Sequence, residues 1–104
     1  GYGPRATGYN NNKTWRQLTV VPRTGDILQV YSTAKGRYSH SVIVTQVKST
    51  SLTVNNKDMW LNNILVSQHT PKDLNRTLDD LVSNYGGANC KIRLIRPKSA
   101  TFSK

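Results

Sequence analysis

The chain has a single cysteine, no glutamate, one phenylalanine, one methionine and two histidines. One thiol, Cys90, excludes an internal disulfide framework and any cysteine-rich zinc site. No apolar run approaches the ~18–20 residues that cross a bilayer, so no membrane-spanning helix is expected. The N-terminus lacks the charged-then-apolar layout of a signal peptide. It opens Gly1-Tyr2-Gly3-Pro4 without an initiator methionine, which predicts a processed product with sequence upstream. Neither a glycine-rich phosphate loop nor metal-ligand spacing is present, so no cofactor and no metal are predicted. Internal repeats are absent. At 104 residues there is room for one core, and a chain this long buries about two-thirds of its unfolded surface.

What is abundant is positive charge: fifteen Lys and Arg against five Asp, a net +10. Such a field attracts polyanions. The cations are dispersed, which reads as solubility with weak polyanion affinity rather than a dedicated site. The tightest group is Lys91-x-Arg93-x-x-Arg96-x-Lys98, where strand alternation places Lys91 and Arg93 on one face.

Residues 1–14 are rich in Gly, Asn and Tyr and read as an arm or loop; 15–98 form one α+β domain, and 99–104 a tail. Residues 14–21 fit a helical turn or an extended lead-in. A Pro-Arg-Thr-Gly-Asp turn then precedes a β-branched and aromatic strand at 27–31. Residues 33–37 have a hairpin's composition, with Gly36 able to take positive φ. Strands are expected at 39–47, 51–54 and 64–69, with Met59, Trp60 and Leu61 as a hydrophobic plug before the last of these. A helix follows, capped by Thr70 with Pro71 and Asp73 in its first turn. Its apolar stripe is Leu74, Leu78, Leu81, Val82 and Tyr85, and Gly86-Gly87 stops it. Residues 90–95 form the closing strand. The expected architecture is a meander of about four antiparallel strands, one helix and a returning strand: a curled sheet or small barrel of about five strands.

His40 stands at the mouth of the second strand, with Val42 and Val44 following it on one face. A rigid strand holds the imidazole while its ordinary pKa lies near neutrality, which suits a general base. The alternative is a half-buried histidine bonded to backbone. His69 ends the fourth strand, and with the third strand short the two imidazoles can meet at one rim. Asp26 fits turn chemistry, Asp79 and Asp80 a solvated helix face, Trp15 and Trp60 core packing, and Cys90 a small buried hydrophobe.

Gly25-Asp26-Ile27-Leu28-Gln29, His40-Ser41-Val42-Ile43-Val44-Thr45, Ser67-Gln68-His69-Thr70 and Lys91-Ile92-Arg93-Leu94-Ile95 occur in that order. They resemble, over residues 15–97, the C-terminal half of the bacterial "putative amidase" domain of the NlpC-type papain-like cysteine hydrolases. The resemblance implies a papain-like core, an acyl-enzyme route, and amide bonds of peptides or peptidoglycan as substrate. It also implies a cysteine nucleophile on an N-terminal helix, with His40 as its base and His69 orienting that base. Gln68, Gln29 and Ser41 would be supporting groups. A secreted or delivered bacterial protein, such as a cell-wall hydrolase or toxin, fits that family. No cysteine precedes Trp15, however. An upstream segment or companion chain would supply it, or Cys90 would serve as in circularly permuted relatives of the lecithin retinol acyltransferase type, or the chemistry is lost. Two other functions compete. One is a small basic metal-independent ribonuclease using His40, His69 and a cation such as Arg37; the other is a non-catalytic module binding a polyanion or protein.

Overall fold

A computed structural model describes residues 6–9, 13–68 and 75–97. Its centre is the hairpin of β2 (Ile27–Ser32) and β3 (Arg37–Val47). Gly36 closes the connection at φ +66, and its N–H donates to the Ser32 carbonyl at 2.8 Å. Only glycine takes that backbone conformation without a Cβ penalty, which is why the turn falls there. Beside the hairpin lie β4 (Ile64–Ser67), a two-residue β5 (Arg76–Thr77) and β6 (Ile92–Pro97). With β1 (Ala6–Tyr9) they form one antiparallel sheet in the order β1-β6-β2-β3-β4-β5.

The sheet is open, with β1 and β5 at its edges, so the small barrel among the expected architectures does not form. The α+β class holds, with two short helices among the described residues, α1 (Trp60–Asn63) and α2 (Leu78–Asn84). Alternation along the strands turns Leu28, Val30, Val42, Val44, Ile92 and Leu94 to one face, each at most 3 % exposed. Trp15, Trp60, Leu78, Leu81 and Val82 cover that face and complete the core. Both tryptophans are thus packing residues, as expected, and not surfaces for bases to stack on.

Four local expectations change. Residues 1–14, read as an arm or loop, contribute β1, whose partner is β6. No strand forms at 51–54: the Thr53 carbonyl accepts the Trp60 indole N–H at 3.0 Å and the Asn56 N–H at 3.2 Å. The Val54 carbonyl accepts Lys57 Nζ at 2.8 Å. With those carbonyls engaged in turns, β3 pairs directly with β4. The helix begins at Leu78, capped by Thr77, whose Oγ1 accepts the Asp80 N–H at 3.2 Å. Asn75, at φ 54, adopts a left-handed conformation that no continuous α-helix can pass through. The expected cap at Thr70, with Pro71, Asp73 and Leu74, lies outside the described residues, as does the 99–104 tail. Finally, Cys90 ends a 3₁₀ turn (Gly87–Asn89), and the closing strand starts two residues later.

Candidate active site

His40 is the fourth residue of β3, inside the strand and not at its mouth, because pairing already begins at Arg37. Its Cα partner is Val30, a fully buried core residue, so the imidazole points to the helix-covered side of the sheet. There it stacks on Tyr85 at the C-terminus of α2, with ring centroids 5.3 Å apart and planes 20° from parallel. The side chain is half-buried and its Nε2 is shielded from water. Residue 69 lies outside the described residues, and with it the proposed meeting of the two imidazoles.

One wall of a cavity of about 360 Å³ is the His40 ring; Gln68, Arg76, Asp80, Asn84 and Tyr85 supply most of its other polar groups. Arg76 on β5 and Asp80 in the first turn of α2 form an ion pair at the rim. Asp79 is exposed, as expected of a solvated helix face, whereas Asp80 borders this cavity. The local sequence carried no warning of Asp80 or Tyr85 here. Its one hint was that Tyr85 continues the apolar stripe of α2, which directs it at the sheet.

Gln68 therefore shares a cavity with His40, but Gln29 and Ser41 do not. These two are Cα partners of each other, one step along from the Val30–His40 pair, and so point to the opposite face. Gln29 Oε1 accepts Arg93 Nε there at 2.6 Å. A second cavity of about 250 Å³ on that side is lined by Ile27, Gln29, Ser41, Ile43 and Ser67, and Gln68 at the strand end reaches both. Support for His40 from Gln29 or Ser41 would have to cross the sheet, and the register rules it out.

Cys90 is fully buried in the core. Desolvation pushes its thiol from the ordinary 9.0 up to about 11, leaving a group about a hundredfold less ionised near neutrality. It is the small buried hydrophobe that the sequence suggested and is poorly suited to be a nucleophile. Near pH 7.5, iodoacetamide is expected to leave Cys90 unmodified in the folded chain and to label it fully in concentrated urea; intact-mass measurement reads both. The sign of the pH effect on stability follows as well. The unfolded thiol releases its proton near 9 and the folded one only near 11. The contribution of this group is therefore intact below pH 9 and is lost as the pH climbs from there to 11.

A family model described as "Putative amidase domain" matches residues 1–93. No curated protein and no solved structure matches the chain. With the match spanning 93 of 104 residues, His40, Gln68 and their cavity included, the chain belongs to the "Putative amidase domain" family and is an amidase-type hydrolase domain.

Proposed function

We propose that the chain is the base-bearing half of a thiol-dependent amidase of NlpC-type, papain-like architecture. Its nucleophile would come from polypeptide outside these 104 residues, either an upstream segment or a companion chain. The observation that carries this reading is His40: a strand-held imidazole, braced by Tyr85, facing a polar cavity in a member of an amidase family. Burial of Cys90 supports an external sulfur.

In this reading the incoming thiol gives its proton to His40, and the thiolate attacks the amide carbonyl. The tetrahedral intermediate collapses, the C–N bond breaks, and the imidazolium returns the proton to the departing amine. Water, deprotonated by the same imidazole, then hydrolyses the thioester and frees the sulfur. Gln68, which lines the same cavity, would hold the ring or the substrate, and His69 keeps the orienting role that the family resemblance implies. Peptide or peptidoglycan amides are the substrate class, and a secreted cell-wall hydrolase or toxin is the setting.

The test measures peptide-amide and peptidoglycan hydrolysis by this chain alone and by its parent polypeptide. Activity is expected only with the added sequence, is expected to be lost on thiol alkylation, and is expected to fall roughly 10³-fold in His40→Ala. Cys90→Ser should leave it unchanged. Full activity in His40→Ala would refute the proposal. RNA cleavage by the isolated chain in the presence of chelator, abolished by the same substitution, would instead favour histidine-only ribonuclease chemistry.

A further inference from the structure

The sheet face opposite His40 carries an ordered arrangement of aromatic rings and cations at its hairpin end. Tyr31 and Tyr38 are Cα partners, and their rings meet edge-to-face with centroids 5.2 Å apart. The Arg93 guanidinium lies over the Tyr38 ring, 4.4 Å from its centroid, and Lys91 Nζ lies 5.1 Å from that of Tyr31. Arg93 is further held through Nε by Gln29. Exposed Lys35 and Arg37 sit on the adjoining hairpin. No described helix packs on this side: the core cluster lies on the other face, and Ile43 here is 44 % exposed. None of the described carboxylates belongs to it either. Asp26 is buried against Arg96, Asp58 lies in a 3₁₀ turn, and Asp79 and Asp80 are on α2.

We propose that this face, through Tyr31, Tyr38, Lys91 and Arg93, binds single-stranded nucleic acid. Charge alone would draw any polyanion, and the net +10 supplies the long-range attraction. The two rings and the guanidinium plane are what favour unpaired bases. A base can stack on an aromatic or guanidinium surface, and a duplex keeps its bases unavailable for that. The cations are also pre-positioned. Arg93 is fixed by Gln29 and Tyr38 before any phosphate arrives, so little side-chain freedom is left to lose on binding. This surface is independent of the amidase reading and lies across the sheet from its site.

Fluorescence anisotropy of the intact chain with a labelled oligothymidylate of about 20 nucleotides tests the idea, a length that covers at least one site of the size such modules occupy. Binding is expected to weaken with salt, and Arg93→Gln and Lys91→Gln should each lower the log–log salt slope by about 0.7. Tyr38→Leu should weaken binding roughly tenfold, while Tyr38→Phe, which keeps the ring, should bind like the unchanged chain. Lys48→Gln, just past the far end of β3, should have little effect. Circular dichroism and thermal melting check that each variant is folded. Losses as large from Lys48→Gln as from Arg93→Gln would overturn the proposal, since binding would then be diffuse. So would a duplex or long-chain polyphosphate that binds as tightly as the single strand and ignores Tyr38→Leu.

Discussion

Asp26→Asn is expected to remove about 3 kcal/mol of stability, read from the urea midpoint at unchanged m-value. The side chain is nearly isosteric, so the loss isolates charge and hydrogen bonding from packing. Asp26 is 3 % exposed and immediately precedes β2, at the end of the turn. Its carboxylate accepts the Arg23 N–H at 2.7 Å, Arg96 Nε at 3.0 and 3.2 Å, and Arg96 Nη2 at 2.7 Å. The same Nη2 donates to the Val21 carbonyl at 3.1 Å. One carboxylate thus joins the incoming chain, the turn and the last strand. Asparagine leaves the guanidinium without its countercharge. Breaking a buried pair on one side costs about 3–5 kcal/mol, and the low end applies because the Arg96 side chain remains 21 % exposed. A loss below about 1 kcal/mol would mean that Arg96 swings out to water at little cost. Replacing both partners by apolar residues should be milder than the single change, since no charge is then stranded.

The second large effect is expected from Trp60→Ala, about 4 kcal/mol by the same measurement. Trp60 is fully buried, and its indole N–H is the donor that holds the Thr53 carbonyl. Alanine empties the largest kind of core volume and takes from that carbonyl one of its two donors, leaving it the Asn56 N–H. Domains of this size are stable by roughly 5–15 kcal/mol in all, so the variant should be near the limit of folding. Trp60→Phe refills most of the space without restoring the hydrogen bond. It should lose less, and the difference between the two variants separates cavity from carbonyl. Equal losses would show that the donor, and not the volume, is what matters.

Both residues illustrate what the sequence made legible. Trp60 next to Met59 and Leu61 read as a plug between elements, and it is one. Asp26 read as turn chemistry, which it performs, but its tie to Arg96 spans 70 positions and leaves no local trace. The central hairpin was legible because Gly36 and the flanking β-branched residues agree about where the chain reverses. The start of α2 was not. Thr70-Pro71 and Thr77-Leu78-Asp79 are both acceptable beginnings by composition, and the left-handed Asn75 that separates them carries a residue type common in ordinary turns. The glycine- and asparagine-rich start of the chain gave no sign of β1, because an edge strand asks little of its side chains once β6 offers a row of backbone partners.

The site was legible in its chemistry and less so in its surroundings. His40 could be singled out because it leads into the apolar run of Val42 and Val44, although it lies within β3 and not before it. Which groups share its space depends on register, and strict alternation misleads there. Period two puts Tyr38 and His40 on the same face. In the sheet, Val30 pairs with His40 and the next residue, Tyr31, pairs with Tyr38, so Ser39 has no partner in β2. That irregularity sends Tyr38 outward to Arg93 and leaves His40 facing Tyr85. Gln29 and Ser41, a cross-strand pair next to Val30 and His40, fall on the far side by simple parity.

The unmatched serine has an evolutionary corollary. Because it lets positions 38 and 40 report to opposite surfaces, a substitution at one is invisible to the other, and each surface can be retuned without disturbing its neighbour. The same insulation makes chain length in this segment unforgiving: a one-residue deletion between them would merge the two surfaces, whereas almost any point change would leave them apart.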